Sequence, residues 1–305
     1  KKSVCIDAAH PKGHDALCRL LATADAFVHN LAPKAARKLH LTREECEAVN
    51  PRLVYGRMTG WGQDGPRAEL AGHDINYISL TGLLHAIGRR GERPVPPLNL
   101  AGDFGGGSMF LVMGVLAALL ERGVSGRGQV VDAAMVDGAS VLGQMMWSFR
   151  GTGLWSDERG VNMLDTGAPY YEVYETSDGK YMAVGAIEPQ FYAQLLSGLG
   201  LSDADLPEQN DVANWPTLKK IFTETFASRT RDEWAKIFDG TDACTSPVLT
   251  FAEAPSDPHM ADRANLVEID GVTQAQVAPR FSRTVPVTPH APARTATDPA
   301  TIWTD

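Results

Sequence analysis

Cysteine is scarce in this 305-residue chain, and its four copies are far apart: Cys5, Cys18, Cys46 and Cys244. No two of them form a CxxC pair, so neither a structural zinc site nor a disulfide framework is indicated. Disulfides persist in oxidising compartments, and a chain with so few, widely spaced cysteines is typical of a reducing one. We therefore expect reduced thiols that pack inside a cytoplasmic protein.

Basic residues and long apolar runs are also few. Lysine and arginine number 28 against 37 aspartates and glutamates, which gives a net charge of −9. This balance disfavours a nucleic-acid partner and leaves room for a local basic pocket that holds an anionic ligand. The longest apolar run, residues 109–120, is shorter than the roughly 20 residues of a membrane helix. No membrane partner is expected.

The remaining composition, 44% hydrophobic and 21% charged, is that of an ordinary folded protein. At roughly 150 residues per domain, the length suggests about two domains. In the first part short apolar strands alternate with helical patterns, and Thr42 with Glu45 forms a capping box, which predicts a parallel α/β sheet. The predicted strands are residues 3–7, 26–30, 53–58 and 129–132, and the predicted helices are residues 13–24, 43–49, 74–87, 104–121 and 135–149.

The pattern changes after an irregular stretch at residues 151–165. Two alternating segments flank Asp178 and Gly179, a turn typical of a β-hairpin, and helical patterns follow. This order predicts a smaller α+β domain. From Val248 onward the chain is proline-rich, and we expect loops there and extended chain at 286–299. The hairpin strands are residues 170–175 and 180–184, and the helices are residues 190–198, 215–227 and 232–238.

Three motifs place a titratable side chain where a helix is predicted to begin. In GHDINY, His73 precedes the helix; the alternative is an N-cap at Asp74 with His73 merely exposed. In GDFGGG, Asp103 precedes a helix with three glycines in its first turn, each costing about 1 kcal/mol relative to alanine. Close approach of a ligand or tight helix packing would offset that cost, and an N-cap role for Asp103 stays open. In AIEP, Glu188 precedes Pro189, where a capping carboxylate is the alternative.

Together the motifs indicate proton transfer beside a carbonyl group. His73 and Asp103 would face each other across a substrate carbon, and Glu188 would orient the histidine. Backbone amides at the helix starts would stabilise an enolate oxygen. The chain has no GxxxxGK[ST] motif, which excludes a P-loop.

At these motifs the chain resembles the α-methylacyl-CoA racemases, members of CoA-transferase family III of the CaiB/BaiF type. GHDINY, GDFGGG and AIEPQF are specific to that group, and the similarity covers nearly the whole chain. The resemblance implies catalytic roles for His73 and Asp103, with Glu188 paired to the histidine. The stretches that carry it are residues 58–88, 94–122, 125–138, 168–192 and 278–284.

The resemblance also implies a reaction. A 2-methylacyl-CoA thioester would bind with its α-carbon between His73 and Asp103. One residue would remove the α-proton and the other would return a proton to the opposite face. The (2R) and (2S) forms would interconvert through an enolate held near Asp74, as in fatty acid metabolism. No metal or redox cofactor is implied, because CoA is part of the substrate.

For the fold, the resemblance implies a Rossmann-like large domain with a parallel sheet and a smaller α+β domain. It further implies an interlocked homodimer in which each site combines the large domain of one subunit with the small domain of the other. The large domain would comprise residues 1–133 and 278–305, the small domain residues 165–251, and the linkers residues 134–164 and 252–277.

The resemblance implies contacts to CoA at several positions, and the sequence departs from the family pattern at Ala9, Ala32 and Lys38 and at its front. Ala9 and Ala32 stand where cations are common, and Lys38 supplies a point charge where the planar fork of arginine is usual. The family's front strand, loop and helix, with one CoA-binding arginine, have no counterpart in the sequence, and we expect apolar groups at the sheet edge to be exposed. The implied contacts are Ile6, Asp7, Asn30, Lys38, Gly72, Asp74, Ile75, Asn76 and Tyr77.

Two other functions compete with racemisation. A family III CoA-transferase would use Asp103 as a covalent nucleophile that forms a mixed anhydride, which leaves His73 and Glu188 without a clear role. A non-catalytic CoA-binding relative would fit the substitutions at Ala9 and Ala32. The joint presence of His73, Asp103 and Glu188 favours the racemase.

Overall fold

The first part of the chain is a parallel sheet flanked by helices. The computed structural model describes residues 3–291 and residue 295. The strands are β1 (Ala26–His29), β2 (Val54–Thr59) and β3 (Val130–Ala134), and the helices are α1 (Pro11–Thr23), α2 (Pro33–Lys38), α3 (Arg43–Val49), α4 (Asp74–Leu80), α5 (Leu83–Ala86), α6 (Phe110–Ser125), α7 (Met135–Leu142) and α8 (Gln144–Gly151). The strand order is β1-β2-β3, with Ala26 opposite Val54 and Tyr55 opposite Val130. The predicted parallel α/β sheet is confirmed.

Local side-chain chemistry sets the start of α3. The Thr42 hydroxyl accepts the backbone N–H of Glu45, and the Glu45 carboxylate accepts the backbone N–H of Thr42. The predicted capping box is therefore confirmed. It satisfies two N–H groups that the first helical turn leaves without acceptors. A small core packs beside it, formed by Leu21, Leu41, Cys46, Leu53 and Tyr55.

The cysteines only partly match the expectation of interior thiols. All four are free, and Cys46 is buried, so that burial raises the pKa of its thiol to about 11. Cys5 and Cys244 are exposed, and for them the prediction was wrong. Both lie in irregular backbone, where no helix or strand covers the side chain.

Several predicted elements of the first part differ in the structure. The helix predicted over residues 135–149 is two helices, α7 and α8, which meet at Gly143. Residues 3–7 form no strand, because no strand of the described chain pairs with their backbone groups. The helix predicted over residues 74–87 is two helices, α4 and α5. Gly82 separates them with a φ of 82°, a left-handed conformation that ends a helix and that glycine adopts without strain.

The helix predicted from residue 104 begins earlier, as a π-helical segment (Leu100–Met109) that continues into α6. Its glycines allow close packing on α7. A Cβ on Gly106 would lie 2.6 Å from the backbone nitrogen of Ala139, and a Cβ on Gly138 would overlap the carbonyl oxygen of Gly106. Tight helix packing therefore offsets the cost of glycine at this point.

The outer face of α6 is apolar and exposed, with Leu116, Leu120 and Val124 at 62%, 79% and 91% exposure. By length and composition the stretch Leu100–Ser125 is able to cross a membrane, which the shorter run counted from the sequence was not. Its inner face lies on the sheet, where a Cβ on Gly114 would come within 2.5 Å of Val131. The absence of a membrane partner stays a prediction.

The second part is an antiparallel sheet covered by helices, as the α+β pattern predicted. Gly179 turns the first hairpin with a φ of 70°. Phe222, Phe226 and Trp234 are fully buried in its aromatic core. The strands are β4 (Tyr171–Glu175), β5 (Tyr181–Gly185) and β6 (Thr245–Pro247) in the order β4-β5-β6, and the helices are α9 (Pro189–Leu199), α10 (Trp215–Phe226) and α11 (Arg231–Phe238).

A buried charge joins the two parts. Glu172 on β4 is 7% exposed, and its carboxylate pairs with Arg89, which follows α5, and with Lys219 on α10 at 3.0 Å. A buried carboxylate is stable only when it is paired. Arg89 therefore holds β4 against the loop after α5, and Lys219 holds it against α10.

The region after Val248 is more structured than predicted. It contains a helix, α12 (Pro258–Asp262), and a hairpin of β7 (Leu266–Ile269) and β8 (Val272–Ala275). The turn is Asp270-Gly271, with Gly271 at a φ of 76°. The expectation of loops was wrong here, because the proline content of the region hid the short alternating strands. The extended chain predicted at residues 286–299 lies partly outside the described residues.

The contact between Gly106 and Gly138 predicts a specific loss of stability. Gly138→Ala should lower the free energy of unfolding by about 1–3 kcal/mol, because the added methyl group separates two backbones. Gly123→Ala is the matched control: it lies in α6 with open space around it and should raise that free energy by up to about 1 kcal/mol. Urea unfolding measures both. Equal effects of the two substitutions would contradict the packing described.

Candidate active site

A cleft of about 400 Å³ opens at the carboxyl end of β2. The loop after β1, the loop after β2 and the segment before α4 form its walls. In parallel α/β sheets the carboxyl ends of the strands are the usual place for ligands, because the loops there converge. The lining includes Asn30, Ala32, Met58, Trp61, His73 and Tyr77.

His73 stands at the mouth of this cleft and is exposed. It is the N-cap residue of α4, and its backbone N–H donates to Asn76 Oδ1 at 3.1 Å. The alternative of an N-cap at Asp74 is wrong, because Asp74 is already helical and its side chain is turned inward. The imidazole is therefore at the start of a helix, beside the cleft, as the motif predicted.

Asp74 connects the two motifs that carry the candidate bases. Its carboxylate oxygen Oδ2 accepts the backbone N–H groups of Gly102 and Asp103, both at 2.7 Å. One carboxylate thus joins the residue after His73 to Asp103 itself. The structure brings these two segments into contact, and the arrangement of His73 and Asp103 on opposite sides of a substrate carbon stays a prediction.

Asp103 lies in the first turn of the π-helical segment and is not an N-cap, so that alternative is wrong. Its carboxylate oxygen Oδ2 accepts the side-chain amide of Asn99 at 3.2 Å, and its carbonyl accepts the Ser108 hydroxyl at 2.9 Å. Both ends of the residue are held by neighbours from its own segment. Its carboxylate is half-buried, available for proton transfer and restrained in position.

Tyr77 supports the cleft from below. Its hydroxyl donates to the carbonyl of Gly72, and its ring meets Trp61 edge to face at 4.8 Å between centroids. Burial raises the pKa of the phenol, and the negative charge of Asp103 raises it further. Asp103 is not among the residues that line the cleft, and it is linked to the His73 wall through the carboxylate of Asp74.

Glu188 is not joined to His73 within one chain. It is the N-cap residue of α9 in the second part, is exposed, and makes no hydrogen bond to His73 among residues 3–291. Burial raises the pKa of the Cys244 thiol, and the negative charge of Glu188 raises it further. The predicted pairing of Glu188 with the histidine stays a prediction.

The predicted CoA contacts fall into two groups. Asn30, Gly72 and Tyr77 line the cleft with His73, and Asn76 caps the same helix. On α4, Ile75 is exposed and the side chain of Asp74 is buried, and neither residue is in the lining of the cleft. Three others lie outside the lining of this cleft. They are Ile6, Asp7, whose carboxylate accepts the backbone N–H of Ala9 at 3.1 Å, and Lys38, exposed at the end of α2.

Two side chains near the site, Asn99 and His29, were not predicted from the sequence. Asn99 holds the Asp103 carboxylate; its signal is the spacing of four residues within a helical segment. His29 precedes the cleft residue Asn30, and its Nδ1 accepts the backbone N–H of Leu31 at 3.1 Å. Its Nε2 lies 2.8 Å from the Tyr55 hydroxyl. No sequence motif identifies His29, because its partner Tyr55 is on the neighbouring strand β2 and is distant in sequence.

Among the residues described, no group of three or more histidine, cysteine, aspartate or glutamate side chains is arranged to hold a metal ion. The site is built from an imidazole, carboxylates and backbone amides. These groups transfer protons and stabilise negative charge at oxygen.

Fold and site together define an α/β protein with a histidine and an aspartate on joined segments beside a cleft at the sheet's carboxyl end. The chain belongs to CoA-transferase family III, whose family model matches residues 1–298. The relationship inferred from the motifs is confirmed.

Relatives with curated names agree with this membership. The chain is 48% identical over 293 residues to the α-methylacyl-CoA racemase of Mus musculus, covering 95% of this chain and 76% of that protein. It is 44% identical over 293 residues to the α-methylacyl-CoA racemase of Homo sapiens, covering 96% of this chain and 76% of that protein. A CaiB/BaiF family protein from Brucella suis has a similar fold, with a TM-score of 0.79 at 27% identity over 96% of this chain and 78% of that one.

The environment of His29 predicts a pH-dependent stability. Burial, and then the charge of Arg57, lower the pKa of its imidazole to about 4 from an ordinary 6.5. The unfolded chain therefore binds the extra proton in this interval. His29 contributes stability that is present above about pH 6.5 and is lost as the pH falls towards 4.

A His29→Gln variant cannot take up this proton. We expect it to be less stable than the wild type near neutral pH, and the gap in unfolding free energy should narrow as the pH falls to about 5. Urea unfolding across that range measures the gap. A gap that stays constant with pH would contradict a neutral, half-buried His29.

Proposed function

We propose that this protein interconverts the (2R) and (2S) forms of 2-methylacyl-CoA thioesters. The observation that carries the proposal is the Asp74 carboxylate, which joins the His73 and Asp103 segments beside one cleft. A base and an acid of different chemistry, held on neighbouring segments, suit removal and return of a proton at one carbon. The names of the mouse and human relatives point to the same reaction.

In the proposed reaction the thioester lies with its α-carbon between His73 and Asp103. For one enantiomer the neutral imidazole takes the α-proton; the C–H electron pair passes into the enolate, and the Asp103 carboxyl gives a proton to the opposite face. For the other enantiomer the roles are reversed. Each turnover moves one proton in and one out, so no co-reactant is needed.

The enolate needs stabilisation at its oxygen. The first N–H groups of α4, at Asp74 and Ile75, have no acceptor within their own helix. They begin directly after His73, next to the α-carbon position. Preorganised N–H donors of this kind typically contribute about 3 kcal/mol to an oxyanion-like transition state. The acyl-CoA is the only ligand required, and no further cofactor is proposed.

We propose that the working form is a homodimer. Glu188 lies in the second part and is exposed, without a hydrogen bond to His73 in the described chain. In an interlocked pair, Glu188 of one subunit approaches His73 of the other. It would then orient the imidazole and support its protonated form.

The two-base proposal predicts the effect of removing the histidine. His73→Ala should lower kcat/KM for enantiomer interconversion by at least about 100-fold, since positioned general acid–base groups supply that much or more. His259→Ala, an exposed histidine on α12, is the control and should leave the rate unchanged. Chiral chromatography of single-enantiomer thioesters, incubated without any acceptor acid, measures the interconversion.

The same assay separates the racemase from its competitors. A hydroxylamine-trapped adduct at Asp103, with transfer of CoA to an added acid and no interconversion, would identify a CoA-transferase. Interconversion no faster in the wild type than in His73→Ala would indicate a non-catalytic relative.

The shared site predicts complementation between inactive variants. His73→Ala and Glu188→Ala should each be inactive alone. Co-expression should restore about a quarter of the wild-type activity, because half of the dimers are mixed and each has one intact site. No recovery in mixed dimers, verified by differential tags, would contradict a site shared between subunits.

A further inference from the structure

We propose that the side chain of Asp74 is a positioning residue, which fixes the catalytic Asp103 relative to His73 by holding its backbone. This inference rests on the proposed racemase function and assigns a role to a side chain that does not itself touch the substrate. Its basis is the pair of hydrogen bonds from the Gly102 and Asp103 N–H groups to Asp74 Oδ2.

The two hydrogen bonds provide an acceptor for N–H groups at the start of the π-helical segment. Gly102 and Asp103 lie in its first turn, where backbone N–H groups have no acceptor in the helix. Such groups are usually capped by a side chain just before the same helix. Here the cap comes from another helix, α4, whose preceding residue is His73. The capping contact therefore also sets the spacing between the two helix starts.

Gly102 is required for this contact. A Cβ at that position would lie 2.6 Å from Asp74 Oδ2 and 2.8 Å from its Cγ. Any side chain would therefore push the carboxylate away from both N–H groups. Gly102, the first glycine of GDFGGG, is therefore needed for a different contact from the glycines that pack on α7. This contact joins the motif GDFGGG to the motif GHDINY.

The burial of Asp74 argues against a purely structural role. The residue is 5% exposed, and its second oxygen, Oδ1, is buried without a hydrogen-bond partner in the described structure. A buried, half-satisfied carboxylate costs free energy that an apolar or amide side chain would not. The carboxylate offsets this cost because its Oδ2 holds two N–H groups at 2.7 Å. Charged acceptors make the shortest and strongest hydrogen bonds of this kind.

Asp103 is held at its other end too. Asn99 donates to its carboxylate, while Asp74 holds its N–H. Loss of Asp74 leaves the Asn99 contact and the backbone N–H groups of α4 in place. The consequence should therefore fall on the position of Asp103 and spare His73. A misplacement of about 1 Å costs on the order of 100-fold in rate.

The test compares Asp74→Ala with Asp74→Asn. The asparagine oxygen can occupy the Oδ2 place and accept the same two N–H groups, so it should retain activity within about 10-fold. Asp74→Ala should lose about 100-fold in kcat with KM within about 3-fold. Gly102→Ala displaces the carboxylate without removing it and should act like Asp74→Ala, which keeps the test valid if one variant folds poorly.

Asp165 supplies the matched control. Its buried carboxylate accepts the backbone N–H groups of Gly160, Asn162 and Gly167 at 2.9, 2.8 and 3.3 Å, in a loop apart from both motifs. Asp165→Ala should lower stability and leave kcat per folded molecule unchanged. An equal loss of kcat in Asp165→Ala and Asp74→Ala would assign the effect to general destabilisation and overturn the inference.

A stereochemical readout adds specificity. In D₂O, α-proton exchange of the enantiomer that presents its proton to His73 should persist in Asp74→Ala. Exchange of the other enantiomer, whose proton faces Asp103, should fall with kcat. Equal loss for both enantiomers, or an Asp74→Asn variant as poor as Asp74→Ala, would overturn the inference.

Amide hydrogen exchange tests the contact between Asp74 and the backbone separately from its effect on catalysis. The peptide containing Gly102 and Asp103 should lose protection in Asp74→Ala and keep it in Asp74→Asn. If the wild type exchanges neither enantiomer, the proposed function fails and with it the catalytic role, while the amide protection still reports the contact. If the wild type is active and Asp74→Ala retains full kcat, only the positioning role fails.

Discussion

The location of Asp103 depends on how closely the π-helical segment approaches two other helices. Gly106 and Gly138 let it lie against α7, and Gly102 lets it reach the Asp74 carboxylate on α4. Backbone contacts at this distance are far less adaptable than contacts between side chains, because interiors are close-packed. The candidate catalytic groups are thus placed by the rigid part of the domain.

Elements whose signals are local were predictable. The capping box at Thr42 and the Asp178-Gly179 hairpin follow from short-range chemistry, and the parallel sheet follows from the alternation of strand and helix patterns. Elements that depend on a distant partner were not. Residues 3–7 have strand-like composition but no paired neighbour in the described chain, and β7 with β8 lies in a region whose prolines suggested loops.

The candidate site shows the same division. His73 and Asp103 were predicted from motifs, and the structure joins their segments through Asp74, with His73 in the lining of the cleft. The role of Asp74 required coordinates, because a hydrogen bond between two helices leaves no periodic trace in a sequence. The choice between ligand approach and helix packing for GDFGGG also needed the contact with α7. Glu188 makes no hydrogen bond to His73 in the described chain, and the proposed pairing across subunits concerns an assembly of two chains.

The most direct test of the central claim is the fate of the α-proton in D₂O. A single enantiomer of a 2-methylacyl-CoA thioester, incubated with the enzyme and no acceptor acid, should give both enantiomers, with α-deuterium in the inverted product from the first turnovers. That result requires removal and return of a proton on opposite faces of one carbon. Absence of deuterium at the α-carbon, with CoA transferred from an aspartyl anhydride, would contradict it.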